Sequence, residues 1–190
     1  MVPQHVTILN ASSTPGDRAD EISEVLHRLF VDQGAQIAAY RVADREVAPC
    51  LGCFGCWVRT PGICVIDDDA REIARTVVQS NLLVHVTPIV FGGVSPSLKA
   101  VLDRMIPIIL PYFAKVRGEV HHVKRYRKYP NVLAIGLLDR PDLDQEEIFI
   151  NLMHRVCLNM RAPASVVRVL DRPGDDPLPA LRQAVSEAAR

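Results

Sequence analysis

Four of the five cysteines in this 190-residue chain fall within fifteen residues, at Cys50, Cys53, Cys56 and Cys64. The spacing C-x2-C-x2-C-x7-C offers four soft donors from one loop. An odd total, tight clustering and an N-terminus (Met-Val-Pro-Gln-His) without the flank and apolar run of an export leader argue against a disulfide framework. Clustered thiols in a reducing compartment suit a soft metal, an iron–sulfur cluster or thiol redox chemistry. Zinc prefers cysteine pairs separated by a longer knuckle, so an overlapping CxxCxxC is a poorer zinc pattern. Packing of free cysteines as small hydrophobes stays open beside these readings. Cys157, at an apolar helical position, is read as core, and His85, inside a strand, as a satisfied core histidine.

Two further segments could do chemistry. Asn10 to Asp20 carries Ser12, Ser13 and Thr14 and leads into a helix N-terminus. Hydroxyls and free N–H groups aligned with a helix dipole suit a phosphate monoester. The segment has neither GxGxxG nor the lysine of GxxxxGK[ST], which disfavours a dinucleotide turn and excludes a P-loop. Thr87 to Ser97 is long for a strand-to-helix loop and mixes Pro88, Ile89, Val90 and Phe91 with Gly92 and Gly93. Such a backbone can pass close along a flat aromatic ligand and offer N–H and C=O groups to its edge. The blander readings are an ordinary polar loop for the first segment, and for the second a glycine turn with Phe91 in the core.

The elements that must position these loops follow from hydrophobic periodicity. Strands are expected at Val6–Leu9, Ile37–Val42, Leu82–Val86, Asn131–Leu138 and Ser165–Leu170, alternating with amphipathic helices. One helix runs from Ser97 to Ile109, and Asp17 or Asp20 caps the first. Strands apolar on both faces indicate an α/β fold with a parallel sheet covered on both sides. Right-handed crossovers make it doubly wound and five-stranded, with order 2-1-3-4-5. Ligands then bind at the reversal between strands one and three, where the two loops emerge.

The chain reads as one domain over residues 1–190, with a basic excursion at about 112–129 holding Lys115, Arg117, Lys124, Arg125, Arg127 and Lys128. That excursion is a solvated loop, a flap over an anionic cofactor, or a subunit contact. Lys plus Arg and Asp plus Glu both number 22, so net charge gives no reason to expect nucleic acid or a membrane as partner. With 48% hydrophobic residues and no stretch long enough to span a bilayer, a soluble, cytoplasmic protein is expected.

The run Thr87-Pro88 through Phe91 to Ser97-Leu98-Lys99, followed by Leu102-Asp103-Arg104, resembles the signature of flavodoxin-like NAD(P)H-dependent FMN reductases. Pro49-Cys50-Leu51-Gly52-Cys53-Phe54-Gly55-Cys56, with Cys64 and Asp67-Asp68 after it, is similar to the cysteine-bearing branch that includes iron–sulfur flavoproteins. The resemblance covers about the first 105 residues well. It implies a flavodoxin-like fold that binds FMN noncovalently, with phosphate at Ser12, Ser13 and Thr14 and the ring along Pro88, Ile89, Val90, Phe91, Gly92 and Gly93. It also implies a 4Fe–4S cluster on Cys50, Cys53, Cys56 and Cys64, and for Asp103 and Arg104 a role in orienting the helix and loop.

Two departures stand out. The first loop reads Ala11-Ser12-Ser13-Thr14-Pro15-Gly16-Asp17-Arg18-Ala19-Asp20 where the family pattern is GSPRxxGNT, so acids lie near the phosphate position and Arg18 is the cation that can offset them. The fourth strand ends in Leu137-Leu138-Asp139-Arg140-Pro141, without the glycine pair of many relatives. The expected function is therefore an FMN-dependent oxidoreductase or electron-transfer protein. It takes hydride from NAD(P)H, passes electrons to a second acceptor, and forms a homo-oligomer. The cofactor carries that chemistry, so no catalytic side chain is assigned. The alternative is a binding or assembly module of the same fold without tight flavin binding. Hydrolysis by a cysteine nucleophile lacks a histidine partner in the motif.

Overall fold

The computed structural model describes residues 3–189, which leaves Met1 and Val2 of the leader reading, and Arg190 of the 1–190 span, outside the described residues. In chain order the elements are β1 (His5–Asn10), α1 (Arg18–Val31), β2 (Gln36–Arg41), α2 (Gly55–Val58), α3 (Asp69–Gln79), β3 (Leu82–Pro88), α4 (Pro96–Asp103), β4 (Ile109–Val116), β5 (Glu119–Lys124), β6 (Asn131–Leu137), α5 (Leu143–Asn159), β7 (Ser165–Leu170) and α6 (Leu178–Ala188). Among the described residues β2-β1-β3-β6-β7 form one parallel sheet in that order. This is the expected 2-1-3-4-5 arrangement, counted over the sheet strands.

Alternation decides the two layers. Val6, Ile8, Leu82, Val84, Val86, Leu133 and Ile135 face one side, where Leu26 and Phe30 of α1 and Leu181 and Val185 of α6 cover them. Leu9, Leu83 and Val132 face the other, beneath Ile73 and Val77 of α3 and Leu98 and Val101 of α4. Phe149 and Met153 of α5 extend that second layer over Ala134 and Val167. Burying both faces of β1, β3 and β6 explains why these strands are nearly continuous apolar runs.

Four of the helices over the sheet begin at a polar cap, and α6 follows Pro177 without one. Asp17 caps α1, Asp68 caps α3, Ser95 caps α4 with Pro96 at its first turn, and Asp142 caps α5. The chain therefore delivers capped helix N-termini beyond the carboxyl ends of the strands.

The helix expected over Ser97–Ile109 stops at Asp103, and a 3-10 turn at Ile106–Ile108 precedes β4. Pro107 accounts for this, because its ring removes an N–H and clashes with the carbonyl four residues back. The basic excursion begins earlier than its expected start and is ordered: β4 and β5 form an antiparallel hairpin. Arg117 and Gly118 at its tip have φ of 51° and 86°, the left-handed pair that a two-residue hairpin turn requires.

Candidate functional site

A cleft of about 380 Å³ opens at the carboxyl ends of β1, β3 and β6, lined by Ser13, Asp17, Arg18, Pro88, Ile89 and Leu138 among others. It lies at the first reversal of strand order, where an open parallel sheet receives ligands. Of the residues expected there, Ser13, Arg18, Pro88 and Ile89 line it together. Ser12 is fully buried beneath the loop, its Oγ donating to the Thr14 carbonyl at 2.7 Å and its N–H to Asn10 Oδ1 at 2.9 Å.

The first loop closes around carboxylates. The N–H groups of Ser13 and Thr14 donate to Asp17 Oδ2 at 2.8 and 3.2 Å, and the Asp20 N–H donates to Asp17 Oδ1 at 3.0 Å. Gly16 N–H donates to Asp20 Oδ2 at 2.9 Å, while Asn10 Nδ2 holds the other oxygen of Asp20 at 2.8 Å. Burial pushes the Asp17 carboxyl up, but the N–H groups of Asp20, Ser13 and Thr14 outweigh it and hold the group below the usual carboxylate range. Among the described residues Arg18 forms no ion pair with these acids, the offset expected of it. Its Nη1 reaches across the cleft to the Leu138 carbonyl at 2.6 Å.

The second loop follows β3 into a tight turn. Val90 and Gly93 exchange backbone hydrogen bonds of 3.0 and 2.9 Å, with Phe91 (φ 51°) and Gly92 (φ 75°) at the corner. Gly92 is required twice over, since its φ is left-handed and a Cβ there would lie 2.5 Å from Ile148 Cγ2. Phe91 tolerates the same region at a cost of roughly 1 kcal/mol. Phe91 is not a core residue: it is 95% exposed, beside a Val90 that is 40% exposed. Thr87 Oγ1 accepts from Ser95 N–H at 2.9 Å, which fixes the far end of the loop to the cap of α4. Ile89 N–H donates to the Leu137 carbonyl at 2.9 Å and fixes the near end.

Three positions at or beside the cleft were not among the expected residues. Gln145 of α5 lines the cleft and accepts from the Gly92 N–H at 3.3 Å, and Asp142 caps that helix beside it. Gly136 in β6 lets Ile89 Cδ1 and Phe149 approach, because a Cβ there would meet them at 2.8 and 2.6 Å. A lone glycine inside an apolar strand is a recognisable sign of such close approach.

The cysteine loop is pinned at its base by Arg104, whose side chain is fully buried. Arg104 Nη1 donates to the Ala48 carbonyl and to Asp68 Oδ2, both at 2.7 Å, and Nη2 donates to Asp68 Oδ1 at 2.8 Å and to the Ile66 carbonyl at 3.3 Å. One guanidinium thus ties together the two ends of residues 48–68, which gives the expected orienting role of Arg104 a specific object. Trp57 joins the same loop to the hairpin, donating to the Ile109 carbonyl at 2.9 Å and lying between Phe54 and His122 at centroid distances of 5.1 and 5.0 Å.

Cys50 and Cys53 are exposed, Cys64 is half-buried and Cys56 is buried. Burial raises the Cys56 thiol above its usual range, and the nearby thiols of Cys64, Cys50 and Cys53 add to the shift. Among the described residues no three His, Cys, Asp or Glu side chains converge as a ready metal-binding group.

A larger groove of about 1190 Å³ runs between α3, Cys64 and the residues after β5. Its charges are partly matched internally, by Arg71 with Asp67 and Arg104 with Asp68. None of its lining residues comes from the loops after β1 and β3, so the smaller cleft at the strand reversal is the better candidate site.

The two core expectations divide. Cys157 is 3% exposed and burial pushes its thiol up to about 12. His85 is fully buried too, but neither ring nitrogen has a partner, so it is not the satisfied histidine expected. Burial lowers its pKa to about 4. Register places it between Leu9 and Ala134, which offer it no polar group.

Residues 5–121 match the family model described as NADPH-dependent FMN reductase. An iron–sulfur flavoprotein of Methanocaldococcus jannaschii is 31% identical over 104 residues, 53% of this chain and 52% of that protein. Another from Archaeoglobus fulgidus is 29% identical over 115 residues, 60% of this chain and 57% of that one. The chain thus spans little more than half the length of the relatives it matches. The fold is shared with an NAD(P)H:quinone oxidoreductase from Methanothermobacter marburgensis, at TM-score 0.69 and 14% identity, covering 98% of this chain and 96% of that one. It is shared likewise with an FMN-dependent NADH-azoreductase from Bacillus anthracis in complex with FMN, at TM-score 0.64 and 14% identity over 97% of this chain and 96% of that one. Among the described residues no helix is long and apolar enough to cross a membrane.

Proposed function

The chain belongs to the NADPH-dependent FMN reductase family, and from that premise we propose that it is an FMN-dependent oxidoreductase taking hydride from a nicotinamide donor. The observation that carries the reading is the cleft at the first reversal of strand order, walled by Ser13 and Arg18 on one loop and by Pro88 and Ile89 on the other. At its phosphate end the N–H groups of Ser13, Thr14 and Asp20 are held by Asp17, so a phosphate there would share or displace that carboxylate. Ser13 and Thr14 would hold the phosphate of FMN. Pro88, Ile89 and Val90 would lie along its ring, and Phe91 is free to cover it. Bound there, FMN supplies two-electron acceptance and one- or two-electron release.

The protein's own part is to bind and orient. The backbone of Ile89 is fixed through Leu137, and the turn at Phe91 is held against α5 by Gln145. No side chain need move a proton at the reacting atoms, and we assign no catalytic residue.

For the cysteines we assign Cys50, Cys53, Cys56 and Cys64 as the donors of a 4Fe–4S cluster. The reading is supported by four soft donors spaced C-x2-C-x2-C-x7-C on a loop pinned at its base, and by the relatives' description as iron–sulfur flavoproteins. Exposed Leu51, Phe54 and Val58 on this loop, with Tyr112, Phe113 and Val120 on the hairpin, favour a homo-oligomer, since apolar groups gathered on a surface mark a contact.

The test is anaerobic purification with assays for FMN, iron and acid-labile sulfide, followed by mixing with NADH or NADPH. Bleaching of the flavin band at a rate that saturates with the nicotinamide is expected. Failure to retain added FMN, or flavin left oxidised in excess of both nicotinamides, removes the oxidoreductase reading. Protein carrying flavin but no iron removes the cluster alone.

A further inference from the structure

The seat ahead of α1 already holds an anion, and that anion belongs to the chain. Asp17 accepts three backbone N–H bonds, from Ser13, Thr14 and Asp20, and a longer contact of 3.3 Å from Ser13 Oγ. Asp20 takes the Gly16 N–H. Glu21 adds a third acid to the first turn of the helix. Resting on the flavin reading above, we propose that Asp17 sets the phosphate selectivity of this cleft. Its carboxylate competes with the ligand's phosphate for the same N–H groups, so the protein accepts riboflavin about as well as FMN.

A phosphate can enter the seat in two ways. It can displace Asp17, at the cost of three hydrogen bonds to a charged acceptor and of the helix cap. Alternatively it can settle beside a retained carboxylate, where like charges repel and few N–H groups remain unspent. Charge-assisted bonds are about twice as strong as neutral ones, so losing three of them offsets much of what a phosphate gains. The adjacent cation gives limited help, because Arg18 Nη1 is committed to the Leu138 carbonyl. The hydrogen bonds that hold the Asp17 carboxyl below its usual range keep it ionised at neutral pH, so the competitor is a charge and not merely a shape. The ring end of the cleft, at Pro88 and Ile89, carries no such conflict. Serine or asparagine at position 17 would still cap α1 and leave the seat uncharged.

The experiment titrates FMN and riboflavin, by quenching of flavin fluorescence, into the wild-type protein and into Asp17→Ser, with Asp17→Asn as the second variant should the first not fold. The wild type is expected to bind the two flavins within about threefold of each other. The variant is expected to favour FMN by about tenfold more than the wild type does, through tighter FMN binding with riboflavin unchanged, as for one charge-assisted bond regained. A wild type that prefers FMN by about a hundredfold, or variants whose preference equals that of the wild type, would overturn the proposal. Binding of neither flavin by any of the proteins would overturn the flavin reading instead. The seat is then read with inorganic phosphate, which should raise the melting temperature of Asp17→Ser and leave the wild type unmoved. Equal stabilisation of both overturns the role of Asp17.

Discussion

Replacing Arg104 with methionine should loosen the cysteine loop while leaving the sheet intact. The substitution keeps a similar apolar stem but removes four hydrogen bonds, to Ala48, Ile66 and both oxygens of Asp68. Asp68 is left 9% exposed, with the N–H groups of Ala48 and Ala70 as its remaining support at 3.0 and 3.1 Å. Breaking one partner of a buried ion pair costs about 3–5 kcal/mol, because the other charge stays buried. Two retained backbone donors place the expectation at the lower end, ~3 kcal/mol, or roughly 6–12 °C in melting temperature for a chain of this size. Urea unfolding measures the loss. The rate at which a thiol reagent reaches Cys56 measures the loop, and that rate should rise well beyond what the global loss accounts for. Asp68→Asn added to Arg104→Met should recover part of the stability, since no orphaned charge remains. A loss below about 1 kcal/mol, or a double variant in which the two losses simply add, would refute the argument that one buried ion pair closes the loop.

Three other perturbations probe the site and its support. Stability should fall as pH drops from 6.5 towards 4, because His85 stays neutral in the fold to about 4 while the unfolded chain takes its proton near 6.5. In His85→Leu the urea midpoint should be flatter across that window, and an unchanged pH dependence would exclude His85 as its source. Gly136→Ala should cost about 1–3 kcal/mol and weaken FMN binding, since the new Cβ drives Phe149 and Ile89 apart at the cleft floor. Titration beside a melting curve checks both effects. Phe91→Asn should raise stability by about 0.5–1 kcal/mol, because asparagine accepts the left-handed corner more readily. The same change should weaken flavin binding if the exposed ring covers the ligand.

Much of the fold was legible because each sheet strand declares itself locally. β1, β3 and β6 are apolar on both faces, and the polar cap at Asp17 stands where α1 starts. The hairpin was hidden because its residues serve different neighbours. His121 is buried against Asn159, Phe113 leans on His122, and the lysines and arginines between them mask the alternation. The short α4 was legible in principle at Pro107, whose effect on the preceding turn is local.

The candidate site was legible in outline and not in its electrostatics. The acids of the first loop were visible, but not that the Asp17 rotamer spends the N–H groups of Ser13 and Thr14, or that Arg18 turns to Leu138. Arg104 stands 36 residues from Asp68 and 56 from Ala48, and no pattern along the chain links them. His85 looked ordinary in sequence, since its lack of partners depends on strands that pair with it from both sides.

The central claim is that a flavin occupies the cleft between the loops after β1 and β3, and amide hydrogen exchange with and without saturating FMN tests it most directly. The account predicts slowed exchange strongest at the non-proline residues of 12–20 and at 89–93, with smaller effects near Gln145. Protection that falls instead along α3 and Cys64, or that is absent from both loops at saturation, would contradict it.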